Sequence, residues 1–153
     1  MATSLNLGLD GKRVLVTGGN SGIGEAIALR LGGLGMKTVR EVIAWSGYGA
    51  YAASKAAIGM LTKTLAQEAA PHGVRVVAIG PGAIKTPINR SVWDDPDMMR
   101  DLEEKIPMKR IGEADEIARM AAVLVSDLAS YVTGRTFFVD GGMTDYPSFA
   151  HGG

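Results

Sequence analysis

Apolar residues recur along this chain in two rhythms. Val14-Leu15-Val16 and the stretch Val74 to Ile79 are short, nearly unbroken apolar runs. Runs of that length read as strands, and lack of alternation marks strands covered on both faces, as in parallel sheets. Between them the period changes. Ile23, Ile27 and Leu31 recur every four residues, and Gly32-Gly33 follows as a stop. Ile117, Ala121, Leu124 and Val125 form another helical stripe. Asp95 precedes Pro96, a helix cap followed by a residue suited to the first helical position. The pattern predicts strand 13–17, helix 22–31, a short strand near 36–40, helix 48–70, strand 74–79, helix 96–105, helix 113–125 and strand 136–139. Strands alternating with helices imply an α/β fold with a mostly parallel sheet between helical layers.

Directly after the first predicted strand stands Thr17-Gly18-Gly19-Asn20-Ser21-Gly22-Ile23-Gly24. A phosphate-cradling turn needs a strand, a bend free of side chains, and a helix N-terminus aimed at the anion. Gly18, Gly22 and Gly24 bare the backbone at three places, and Ser21 can cap the helix. An ordinary glycine-rich turn has the same composition; the strand before and the helix after favour the phosphate site.

Further on comes Ala50-Tyr51-Ala52-Ala53-Ser54-Lys55-Ala56-Ala57. Residues four apart share a helix face, so Tyr51 and Lys55 are neighbours. An ammonium beside a phenol favours the phenolate, which suits proton transfer to or from a carbinol oxygen. The pair alone is weak evidence, and an ordinary surface helix accounts for it better. The glycine turn, the Tyr helix, Gly73-Val74-Arg75-Val76-Val77-Ala78-Ile79-Gly80-Pro81-Gly82, Tyr131-Val132-Thr133-Gly134 and Val139-Asp140-Gly141-Gly142 together resemble the short-chain dehydrogenase/reductase family. Arg40 to Trp45, Ile84 to Asn89, Ile106-Pro107-Met108 and the tail Met143 to Phe149 narrow the resemblance to bacterial glucose 1-dehydrogenases.

The resemblance implies a Rossmann-like three-layer fold and an NADP- or NAD-dependent oxidoreductase acting on a sugar or polyol. It implies Tyr51 as the acid/base and Lys55 as its tuner and a ribose contact. Thr17, Gly18, Asn20, Ser21, Gly22, Ile23 and Gly24 fall at the cofactor's pyrophosphate, and Pro81, Gly82, Ile84 and Thr86 toward its nicotinamide. It also implies that the Tyr helix, rich in Ala52, Ala53, Ala56, Ala57 and Gly59, packs at an interface of a homo-oligomer; packing on the chain's own sheet is the alternative.

The two motifs stand too close together for that family. A βαβ unit takes about 30 residues or more, and the family runs through several between glycine turn and Tyr helix. Here residues 25–50 must suffice. The family's Asn-Asn-Ala-Gly strand end and its catalytic Asn are absent, and Val77 stands where Asn is usual. The chain therefore reads as one domain over 1–153, internally shortened near residues 31–41. Strand 13–17 then pairs directly with strand 74–79 in a smaller sheet, or a second chain fills the gap. Counting back from Tyr51, the family's catalytic Ser falls on Thr38, either a substitute hydroxyl or simply a strand residue. Arg40 either ends the second strand, where an Arg accommodates the 2′-phosphate of NADP, or belongs to the substrate loop.

Composition narrows the partners. The chain has 153 residues, 46% of them hydrophobic, and no net charge, which offers nothing to nucleic acid or an anionic membrane surface. No apolar run approaches a membrane span and no leader pattern is visible, so a cytoplasmic protein is expected. Cysteine is absent, which excludes disulfides and thiolate metal sites, and His72 and His151 are isolated, so no metal is expected. Three functions stay open: an oxidoreductase impaired by the shortening, an inactive remnant that binds nucleotide or oligomerises, and a shortened chain with no selected function.

Overall fold

The computed structural model describes residues 9, 11–14, 22–31, 49–87 and 90–145. Helix α1 runs Gly22–Leu31, the span its four-residue apolar repeat predicts, with Ile27 buried and Ile23 half-buried. Helix α2 runs Gly49–Ala69. Its inward stripe is Ala52, Lys55, Ile58, Gly59, Thr62 and Ala66, at steps of three and four. Pro71 carries no N–H to extend the ladder, and the chain leaves through a 3₁₀ turn, Ala70–His72.

Strand β1 is Val77–Pro81, β2 is Ile84–Lys85, and helices α3 and α4 span Arg90–Trp93 and Pro96–Glu104. Asp95 caps α4 as expected, accepting from the Asp97 and Met98 N–H groups at 2.9 and 3.2 Å. Strand β3, Gly112–Glu113, leads into α5, Ala114–Val125; a 3₁₀ turn, Asp127–Ala129, precedes strand β4, Arg135–Val139. All pairing among the described residues is parallel: β1 with β4, from Val77↔Arg135 to Pro81↔Val139, and β2 with β3, Ile84↔Gly112.

The strand expected at 74–79 begins three residues later. Val74 is 52% exposed. Arg75 instead fans its guanidinium onto the end of α5, donating to the carbonyls of Leu124 (2.6 Å), Val125 (3.1 Å) and Ser126 (3.2 Å). The last carbonyls of a helix have no partner within it, and a charged fork satisfies three here. The Val76 N–H donates to the Thr133 hydroxyl at 3.0 Å, not to a strand. Of the strand expected at 13–17, Arg13 and Val14 are not in a strand, and 15–17 lie outside the described residues, as does the strand near 36–40. The described partner of β1 is β4.

The core joins α1, α5 and the strands. Ile27, Ile84, Ile117, Ala118 and Ala121 are buried together, with Ile23, Ala26, Ile79, Ala114 and Val139 against them. Small side chains at Ala118 and Ala121 let α1 lie close along α5, and Arg30 pairs with Asp115 across their ends. On the strands, a Cβ at Gly80 would sit 2.6 Å from the Phe138 ring; one at Gly82 would sit 2.6 Å from the Asp140 Cα. Helix α2 packs against β1 and β4, with Ala66 3.2 Å from where Gly134 would carry a Cβ.

Candidate active site

Gly22 opens α1 with φ of +55°, a left-handed conformation that glycine adopts without strain. It lies against Thr86, the residue following β2: a Cβ on Gly22 would meet the Thr86 Cγ2 at 3.3 Å. Two residues far apart in sequence and both assigned to cofactor binding are thus brought together. Thr86 is only 9% exposed. Ile23 and Gly24 continue the first turn of α1, whose N–H groups find no partner within the helix. Thr17, Gly18, Asn20 and Ser21 lie outside the described residues.

Pro81 ends β1, Gly82 follows it, and both are buried. The Gly82 N–H donates to the Val139 carbonyl at 3.1 Å, which fixes the exit from the strand. Ile84 is 3% exposed and belongs to the core. Tyr51 and Lys55 fall in the first two turns of α2, and Lys55 is half-buried on the inward stripe. The Tyr51 side chain, Thr38 and Arg40 lie outside the described residues.

The sequence reading missed a second polar group. The Arg110 guanidinium grips Glu116 with two hydrogen bonds, 2.8 and 2.7 Å, and Glu116 also accepts the Glu113 N–H at 2.9 Å. The Arg110 hydrogen bond, then the Glu113 N–H, hold the Glu116 carboxyl down at about 2. Glu116 thereby caps the start of α5. The signal was present: a Glu three residues into a helix, opposite a residue just before it, is half of a capping box. The pair borders a cleft of about 310 Å³ whose other walls include Ile84, Met108, Phe138 and Asp140. Nearby, Lys85 pairs with Glu113 at 3.8 Å and lies 6.0 Å from the Trp93 ring centre.

The profile of a family described as Enoyl-(Acyl carrier protein) reductase matches residues 33–144, most of the chain. The chain belongs to the short-chain dehydrogenase/reductase family. A 3β-hydroxysteroid dehydrogenase of Eggerthella lenta is 53% identical over 119 residues, covering 78% of this chain and 46% of that protein. A glucose 1-dehydrogenase of Gluconobacter oxydans is 46% identical over 112 residues, 73% of this chain and 42% of that protein. Among solved structures, the RhlG/NADP active-site complex of Pseudomonas aeruginosa superposes with a TM-score of 0.65 at 30% identity, covering 69% of this chain and 43% of that one.

This dehydrogenase/reductase thus spans less than half the length of the relatives it matches, in keeping with the shortening read from its motif spacing. The junction at 32–41 lies outside the described residues. The Rossmann-like α/β fold holds, with parallel strands and helices on them. Glucose 1-dehydrogenases stand among the relatives, as the tail motif indicated; a steroid dehydrogenase stands there too, which no motif announced. Among the described residues, no helix is long and apolar enough to cross a membrane.

Proposed function

We propose that the chain, one domain over 1–153, binds NADP or NAD at the α1 N-terminus and exchanges hydride with a sugar or polyol hydroxyl or carbonyl. The observation that carries this reading is the meeting of Gly22 with Thr86, which joins the phosphate and nicotinamide ends of the predicted site. The described part of the cradle fits such a group. Gly22 has no Cβ to obstruct it, the first-turn N–H groups have no partner within the helix, and the Thr86 side chain lies adjacent. Thr17, Gly18, Asn20, Ser21, Ile23 and Gly24 complete the cradle, with Pro81, Gly82 and the main chain of Ile84 on the nicotinamide side. Arg40 offers a fork to a 2′-phosphate.

When bound, the nicotinamide supplies the hydride donor or acceptor. Tyr51 then takes the carbinol proton during oxidation or returns it during reduction. Lys55, one turn along on the inward face, favours the phenolate and touches the ribose. Thr38 polarises the substrate oxygen in place of the family's Ser. The steroid dehydrogenase among the relatives makes a steroid hydroxyl the competing substrate class. The missing Asn and the shortened sheet weaken orientation of substrate against cofactor, so turnover is slow.

A second reading, an inactive nucleotide-binding or oligomerising module, is favoured by the outer side of α2, where Met60, Leu61 and Leu65 are exposed. Both readings entail a homo-oligomer, and both fit a cytoplasmic protein. NADPH and NADH fluorescence titrations, followed by glucose- and sterol-dependent NADP reduction, separate them. Nucleotide binding with turnover that Tyr51→Phe abolishes supports the enzyme; binding without turnover supports the nucleotide-binding module; no binding removes the enzyme and leaves only the oligomerising module.

A further inference from the structure

The cleft beside Arg110 lies where β4 ends. Val139, the last residue of that strand, and Asp140, the first beyond it, both line it, and Met108, Arg110 and Gly112 bring the loop before α5 to it. In parallel α/β sheets, the space outside the carboxyl ends of the strands is where ligands bind. A volume of about 310 Å³ suits a small molecule, since ligand pockets run from about 300 to 1,000 Å³. The walls are also fixed in advance. Lys109, between two lining residues, holds a left-handed φ of +54°, unusual for a residue with a Cβ. Its N–H donates to the Ile106 carbonyl and its ammonium to the Glu104 carbonyl, each at 2.8 Å. The Met108 N–H donates to the Gly141 carbonyl at 3.1 Å and ties this loop to the residues after β4.

The chemistry of the walls selects among small molecules. Met108 and Phe138 are large apolar residues left 66% and 41% exposed. A thioether and an aromatic ring in one cleft suit a flat apolar body. Arg110 and Glu116 neutralise each other through their two hydrogen bonds. Asp140 is the other charged residue among the described walls. Its carboxylate accepts from the Gly142 N–H at 3.0 Å, the Thr144 N–H at 2.9 Å and the Thr144 hydroxyl at 2.6 Å. All three donors are neutral, so they fix the carboxylate without cancelling its charge. A carboxylate offers about four acceptor positions, which leaves one for a ligand. The face of an aromatic ring attracts cations as well.

We propose that this cleft binds a small aromatic ammonium compound, its ring between Met108 and Phe138 and its ammonium toward Asp140. Gly22, Lys55 and Thr86 are not among the described walls, so this site stands apart from the nucleotide reading. Benzylammonium, benzyl alcohol and benzoate share a ring and differ in charge at neutral pH. Each is titrated into the full chain, and NMR follows the amides of Gly112, Gly141 and Gly142 and the Met108 methyl. Benzylammonium should bind saturably, with a Kd on the order of millimolar for so few atoms. Benzyl alcohol should bind about two- to fivefold more weakly, and benzoate should not bind. Met108→Ala, at an exposed position, should weaken benzylammonium about two- to fivefold. Asp140→Asn, its fold verified by circular dichroism, should remove the preference for the ammonium over the alcohol. Equal binding of the alcohol to the parent, binding of benzoate, or a preference that survives in folded Asp140→Asn overturns the ammonium assignment. Shifts that climb without saturating, that bypass the three glycines, or that Met108→Ala leaves unchanged overturn the site itself. The three probes on the parent decide the charge selection where Asp140→Asn does not fold.

Discussion

Helices α5 and α2 both lie against β1 and β4, and they are held there differently. The shorter, α5, buries Ile117, Ala118, Ala121, Ala122 and Leu124. Glu116 satisfies its N-terminal end, and Arg75 covers its C-terminal carbonyls. Helix α2 is nearly twice as long, yet among its described side chains and glycines the buried positions are Gly59, Thr62 and Ala66. It has no acidic residue in its first turn and no basic one in its last. Met60, Leu61 and Leu65 face outward, 62%, 51% and 41% exposed. Stability generated within the chain therefore concentrates around α5 and α1, while the proposed acid/base pair rides on the helix with less cover. The core and the proposed acid/base pair rest on different helices, so damage to one need not follow damage to the other.

The sharpest way to break this contrast is at Ile117, fully buried between α1 and the strands. Ile117→Ala should cost about 2–5 kcal/mol, combining lost transfer energy with a cavity. A urea midpoint that barely moves would mean that α5 does not anchor the core. Arg75→Met comes next. It removes the charged donors from three carbonyls and should cost about 1.5–3 kcal/mol. Thermal melting reads the loss, and amide exchange should quicken around 123–129 without quickening in the first turns of α2.

Acid sharpens the contrast further. The Glu116 carboxyl is lowered from 4.5 to about 2 in the folded chain. A group whose folded value is depressed contributes stability above its unfolded value and loses it as pH falls through the folded one. The parent should thus lose stability between pH 4.5 and 2 more steeply than Glu116→Gln, whose own loss is already present at pH 7. Parallel curves for the two proteins would remove the Arg110–Glu116 pair from the support of α5. The smallest effect is expected on the outer side of α2. Leu61→Ser should change monomer stability by less than about 0.5 kcal/mol, as exposed substitutions usually do. Sedimentation should reveal its consequence instead, as a shift toward smaller assemblies.

What was legible in the sequence follows the same division. Helix α1 could be bounded because its apolar repeat ends at two glycines, and the buried positions of α5 because three of the four named ones lie in the core. Strand β1 was placed too early because Val74 and Val76 extend its apolar run, and no local pattern reveals that Arg75 is committed to the end of α5. The two-residue strands β2 and β3 are too short for any periodicity to show. In the site, the glycine turn and the Tyr51/Lys55 pair were visible because each is a local spacing. The contact of Gly22 with Thr86 was not, since it arises only when α1 and β2 settle into one core.

The near-collisions along β1 have a consequence for how sequences can vary. At position 80 the obstacle is the side-chain ring of Phe138, whereas at position 82 it includes the backbone of Asp140, with its Cα 2.6 Å and its carbonyl oxygen 2.9 Å away. Volume at 80 can therefore be traded against volume at 138. In a library randomised at both, larger residues at 80 should be recovered together with smaller ones at 138. No such exchange exists for 82, because every amino acid at 140 brings the same Cα and carbonyl. Position 82 should return glycine whatever is allowed opposite it.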